Sequence, residues 1–197
     1  MYQCSHTGCD YHAGKVLHRY IIINSSIMTD FQKYIQRYID LIPSGNWREE
    51  LRKTEEKTSA IYSDLTEEQS LFAYAEGKWT LKELLLHLSD TERVFQYRIL
   101  AFARGDRHEL PGFDEELYAA HSFANGRSLD SLLDEYRTLR RSSVIFIETL
   151  DPSVLQNTGT ANGNLISVET IARLIAGHNI HHLHIIQERY LPELQND

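Results

Sequence analysis

The sequence predicts an all-α protein, an antiparallel four-helix bundle, and three observations carry that prediction. Apolar residues recur every three to four positions through long segments, the period of one helical face. Capping residues stand at the heads of these segments, and turn residues stand between them. Alternating or β-branched runs that would mark strands are almost absent. Amphipathic helices of this kind bury their stripes against one another, and a bundle does so directly.

Phe31, Tyr34, Ile35, Tyr38 and Ile42 open the periodic region, and Pro43-Ser44-Gly45 interrupts it. Trp47, Leu51, Thr54, Thr58, Ile61 and Leu65 resume the period. This region is either one long helix with a break or a short helix followed by a long one. Thr80-Leu81-Lys82-Glu83 has the form of a capping box, in which Thr and the Glu three residues later satisfy free amides at a helix start. A helix is expected from about 81 to 104, ending at Gly105, with Leu84, Leu88, Thr91, Phe95, Ile99 and Phe102 inward. A loop containing Leu110-Pro111-Gly112-Phe113-Asp114 follows, with one helical turn near Glu115 to His121. Ser128 caps the next helix, whose inward stripe runs from Leu129 through Leu132, Leu133, Tyr136, Arg140, Ser143 and Ile147 to Leu150. Two of those inward positions, Arg140 and Ser143, are polar, and Asp151-Pro152 ends the helix. Asn157 to Asn164 reads as a turn or small hairpin. Ser167 caps the last helix, expected from about Val168 to Tyr190, with Glu169 near its positive end.

Apolar residues are 42% and charged residues 24% of the 197, the usage of a globular chain long enough for one domain with a substantial core. A net charge of −8 argues against nucleic acid and anionic membrane as partners, because both are bound through clustered Lys and Arg. No stretch approaches the roughly 18 apolar residues of a membrane span. Residues 1–27 lack a helical period and are expected to be a flexible extension or to precede a start at Met28; residues 28–197 form the bundle. Both cysteines, Cys4 and Cys9, fall in the extension, so no disulfide staples the core, and a cytoplasmic location is expected. The ligand-type residues between Cys4 and His12 do not form a paired CxxC motif.

Residues four apart on a helix lie one above the other, so His178 and His182 can direct their imidazoles at one point. They share the stripe of Ile171, Leu174, Ile175 and Ile185, which faces inward. A pair of this kind is more often a core or surface pair than a ligand pair. His87, early in the helix that starts after Thr80, supplies a third nitrogen. Three neutral imidazoles on two helices suit Zn, Ni or Fe and leave coordination positions open. Asp90 and Glu92 are placed to orient these ligands. Arg140 and Arg98, near the inward stripes of their helices, are candidates to bind carboxylates of a thiol cosubstrate. His181 and His184 are read as surface or interface residues.

The segments from Trp79 to Arg93, from Leu110 to Asp114, and from Ile175 to His182 together resemble the DinB/YfiT-like metalloenzyme superfamily over about residues 29–190. The resemblance implies a four-helix bundle, often a homodimer, in which His87, His178 and His182 bind one divalent metal, with Zn or Ni expected. Members of that family include transferases that add bacillithiol, mycothiol or glutathione to electrophiles; others are known only as candidate hydrolases. The extension at 1–27 departs from the family pattern.

Thiol S-transfer, with a small-molecule thiol and an electrophile as substrates, is therefore the leading expectation. Metal-dependent hydrolysis is the alternative and needs a base near the activated water; Asp114, Tyr118, His108 and His121 lie in the loop expected to overhang the site. A third reading is a non-catalytic metal-binding bundle of the stress response, which would normally close its site with a fourth protein ligand. A homodimer is also expected from Ile180, Leu183 and Ile186, which lie on a different face of the last helix from the histidines.

Overall fold

Side-chain caps set the helix starts. In a computed structural model describing residues 28–43 and 46–194, Thr29 and Gln32 form a capping box for α1 (Asp30–Ile39), and Asn46 caps α2 (Trp47–Ser63). The chain after Met28 therefore takes the short-then-long alternative. Residues 1–27 lie outside the described residues, and with them the expectations for the extension and its cysteines. A single turn, α3 (Glu67–Ser70), leads to α4 (Leu81–Ala103), where the expected box forms: the Thr80 amide donates to Glu83 Oε2 at 2.8 Å and the Glu83 amide to Thr80 Oγ1 at 3.1 Å. Asp114 caps the short α5 (Glu115–Ala120), Ser128 caps α6 (Leu129–Glu148), and Ser167 caps α7 (Val168–Ile185). Past Ile185 the last helix continues as a π-type segment, Ile186–Tyr190, and a final turn, Leu191–Leu194. The Gly- and Asn-rich stretch is a hairpin, β1 (Thr158–Ala161) paired antiparallel with β2 (Asn164–Ser167). Its tip residues Asn162 and Gly163 have φ of 50° and 72°, the left-handed pair that a two-residue hairpin turn requires.

The four long helices close into a ring in which α2 packs on α6, α6 on α4, α4 on α7, and α7 on α2. Cross-helix bonds give the directions. Arg52 pairs with Glu148 and Arg137 with Ser59 and Ser63, so α2 and α6 are antiparallel. The Asn157 side chain donates to the Phe102 carbonyl, while Tyr190 OH donates to the Trp79 carbonyl, so α4 and α7 are antiparallel too. Lys82 bonds the Arg127 carbonyl and Gln96 the Ser143 hydroxyl, however, so α4 and α6 run in the same direction. Two parallel neighbours demand a return connection along the whole bundle, and residues 104–128 supply it. That crossover is what brings the loop around Gly112 back over the helices.

The core falls into two apolar clusters. One gathers Trp47, Leu51, Ile99, Phe102, Ile147 and Ile171; the other gathers Tyr62, Leu81, Leu85, Leu132, Tyr136 and Ile186. Between them lies a buried polar layer. Arg140 Nε donates to both Glu92 oxygens at 3.0 and 2.9 Å, and its Nη2 reaches Glu92 Oε2 at 2.8 Å. Its Nη1 donates to the Leu51 carbonyl at 2.9 Å and the Thr54 hydroxyl at 2.8 Å. Asn179 accepts from Arg140 and Tyr136 and donates to Thr58, and Ser143 donates to Glu92. One guanidinium thus ties together α2, α4, α6 and α7. Arg140 is 2% exposed and fully occupied by protein partners, which corrects its expected role as a contact for substrate carboxylate.

Ile180, Leu183 and Ile186 are also buried within the single chain. α7 packs against α1, α2 and α4, so it must be apolar on more than one face without any second subunit. The surface that motivated the homodimer is therefore internal. α1 lies outside the ring, across α7: a Cβ added at Gly177 would stand 2.3 Å from the Tyr38 carbonyl oxygen. That close approach explains a glycine in mid-helix, where it otherwise costs about 1 kcal/mol. Among the described residues no helix is long and apolar enough to cross a membrane.

Candidate metal centre

His87 lies two turns into α4, and His178 and His182 lie one turn apart on α7. Because the two helices are antiparallel neighbours, the start of α4 faces the end of α7 and the three rings converge. His178 Nε2 is 3.2 Å from His87 Nε2 and 3.1 Å from His182 Nε2. The three residues form a group whose ligand atoms all lie within 4.8 Å of one another. Two facing imidazoles can satisfy each other with one N–H, but here the single His178 Nε2 faces two neighbours at once, whichever nitrogen carries the proton. Three imidazole nitrogens set about 2.0–2.1 Å from one tetrahedral ion stand about 3.3 Å apart. The two separations from His178 fit that set, so the donor atoms suit a divalent cation better than they suit one another.

Burial favours the neutral, coordinating form of each ring. It is the main cause that pushes the pKa of His87 down to about 4, with His181 adding to it. His178 and His182 are held well below the usual imidazole range, again by burial first and then by the neighbouring histidines. His87 and His182 are buried and His178 is half-buried, and all three line one cavity. Trp79 packs on His87 with the rings tilted and their centroids 4.5 Å apart. His182 Nδ1 has no hydrogen-bond partner among the described residues, so packing against His87 and His181 holds its ring.

In the metal-free protein each ring has a folded-state pKa below its unfolded value of about 6.5, so the unfolded chain binds protons first. Stability is then fully present above about pH 6.5 and is lost as pH falls towards 4. We expect urea unfolding midpoints of stripped protein to drop across this window, and to drop less in His87→Phe. Midpoints that are equal in size of fall for the two proteins would contradict the assignment of the low value to His87.

The cavity has a volume of ≈ 280 Å³ and its wall is largely aromatic. α1 contributes Phe31, Tyr34 and Tyr38, α4 contributes Thr91, Phe95 and Arg98, and the crossover contributes Gly112, Phe113 and Glu115. Asn162 at the hairpin tip closes one side: backbone bonds of 2.9 Å join Leu110 to Thr160 and Asn162 to Leu110, fastening crossover to hairpin. The sequence places the loop over the site correctly but selects other residues from it. Asp114 is occupied as the α5 cap, bonding the Leu117 amide at 3.0 Å. His108 is exposed and bonds Asp106. Tyr118 and His121 line a separate shallow pocket together with Asp90, whose carboxylate bonds Arg93 at 3.0 Å. Asp90 therefore orients no histidine, and Glu92 is committed to Arg140. His181, read from the helical period as a surface or interface residue, lines the cavity, edge-on to Tyr38 at 5.3 Å; His184 is exposed. The α1 residues and Glu115 were missed as wall residues because their place depends on how separate elements dock, although the aromatic stripe of α1 was visible.

A sequence model of the DinB superfamily matches residues 50–186, which include all three histidines. No curated protein matches significantly. Among solved structures, the chain is similar to one described as YfiT from Bacillus subtilis, a probable metal-dependent hydrolase with an unusual four-helix bundle topology. The TM-score is 0.62 at 18% identity, over 83% of this chain and 88% of that one, a likeness that establishes the shared fold.

Proposed function

The chain belongs to the DinB superfamily, and on that premise we propose that it is a cytoplasmic metal-dependent enzyme that transfers a low-molecular-weight thiol to an electrophile. His87, His178 and His182 would hold one divalent ion, Zn or Ni. When bound, such an ion supplies Lewis acidity that lowers the pKa of a thiol or water reaching it. In the transfer, the thiol gives its proton to solvent water, its sulfur forms a bond to carbon of the electrophile, and the leaving group departs with the electron pair of the broken bond.

The observation that carries this reading is a three-imidazole cluster in an aromatic cavity, with the carboxylates nearest to His87 in sequence engaged elsewhere. Asp90 and Glu92, the acids nearest in sequence to His87, are paired with arginines. A thiol, with a pKa near 8.5, needs less help from a protein base than water does. The described residues contain no cysteine, so the sulfur would come from a substrate. Tyr38, Trp79, Phe95 and Phe113 would keep bulk water from the reacting centre.

Hydrolysis remains the second reading because Glu115 lines the same cavity. Burial, with Glu116 and Asp114 adding to it, raises its carboxyl pKa, the direction that strengthens a carboxylate base. The test is to supply metal-loaded protein with glutathione or bacillithiol and monochlorobimane, and separately with nitrophenyl esters and no thiol. We expect thiol-dependent conjugation that disappears in His178→Ala. Ester turnover without conjugation would overturn the transferase reading in favour of hydrolysis.

A further inference from the structure

His87, Thr91, Phe95 and Arg98 all line the histidine cavity, and their spacing of four, four and three residues makes one straight stripe along α4. Ile171, Leu174 and His178 face them from the antiparallel α7. The cavity is therefore a slot with a fixed polarity along the bundle: imidazoles at one end, Phe95, Ile171 and Leu174 in the middle, and a guanidinium at the other end. Eleven residues of helix separate His87 from Arg98, about 16 Å of rise. Side chains on one helix lean the same way, so only the greater length of the Arg98 side chain shortens that span.

Arg98 is only partly satisfied. Its Nη2 donates to the Pro111 carbonyl at 2.9 Å, which anchors one corner of the planar fork to the crossover. No carboxylate pairs with it among the described residues. Its pKa is lowered by burial, with no charged group acting to offset that cost. Glu115, the acid on the same cavity wall, has Glu116 and Asp114 as its charged neighbours, and the group it acts on across the cavity is Tyr38. A half-buried guanidinium with donors free and no counter-charge is a binding site for an anion that arrives with the ligand.

We propose that the cavity takes an elongated substrate with a carboxylate at one end, bound by Arg98, an apolar middle, and its reacting group at the other end, at the histidines. Arg98 is a specificity-determining residue in this account. The inference rests on the metal-site reading for the reacting end alone; the carboxylate end stands on Arg98. The acid can belong to the thiol or to the electrophile, and the chemistry of recognition is the same for both.

The test uses 8-mercaptooctanoate against 8-mercapto-octanol on metal-loaded protein, and octanoate against octanol on metal-stripped protein, by calorimetry and by quenching of Trp79 fluorescence. Charge-assisted hydrogen bonds to an otherwise unpaired guanidinium predict that each acid binds roughly ten- to a hundredfold more tightly than its alcohol. In Arg98→Met the acids should fall to parity with the alcohols, while alcohol binding, metal content and helical signal stay at wild-type levels. Arg98→Lys should recover part of the preference, because it restores the charge without the fork. Equal affinity for acid and alcohol in the wild type, or an acid preference that survives Arg98→Met, would overturn the assignment. If octanoate shows the Arg98-dependent preference but metal loading adds nothing for the mercapto acid, Arg98 is upheld and the metal reading fails. A thiol that gains from metal with no acid preference is the reverse case, and it overturns this proposal.

Discussion

Glu92→Leu is expected to destabilise the fold by about 3–5 kcal/mol, a fall in melting temperature on the order of 10 °C for a domain of this size. The reason is the neighbour it abandons. Arg140 is 3% exposed at its side chain and has Glu92 as its ion-pair partner. Removing the carboxylate leaves a guanidinium charge between two apolar clusters, with only the neutral oxygens of Leu51, Thr54 and Asn179 to receive it. Ser143 loses its acceptor at the same time. Arg140→Met should cost a similar amount, since it strands the carboxylate instead. The double variant should cost much less than the sum, because an apolar pair of similar volume removes both desolvated charges together. Urea titrations of the four proteins measure this cycle. Single variants that cost under about 1 kcal/mol, or costs that simply add, would show that the pair is not the buried coupling described.

Much of this arrangement is legible in the sequence because it is local. The caps at Thr80, Ser128 and Ser167 are short-range side-chain to backbone bonds, and each forms where its sequence signal stands. The inward direction of Arg140, Ser143, His178 and His182 follows from helical period alone. Their partners do not. Glu92 lies 48 residues from Arg140, and the two meet because α4 and α6 run parallel, a choice imposed by the long return through 104–128. The same long-range choice decides which loop residues reach the cavity, so the sequence offers Asp114 and Tyr118 and does not single out Glu115. Ile180, Leu183 and Ile186 mark the same limit. Apolar period shows that a face is covered, and only the docking of α1 and α2 shows that the chain covers it itself.

The largest effect of all is expected at the histidines. Replacing any one of His87, His178 and His182 with Ala leaves two protein nitrogens, which cannot retain an ion against dilution and a mild chelator. The fold should persist, because the helices are held by the two apolar clusters and by the Arg140 layer. His181→Ala should keep its metal, since the His181 ring packs on Tyr38 and the convergent group consists of the other three. His184→Ala should also keep it, because His184 is exposed on the far side of the helix. The direct measurement is metal per chain, by elemental analysis of untagged protein after gel filtration with chelator, for the wild type and these five variants. The account predicts close to one divalent ion per chain in the wild type, His181→Ala and His184→Ala, and close to none in the other three. Full occupancy in His87→Ala, or a loss in His184→Ala equal to that in His178→Ala, would contradict it.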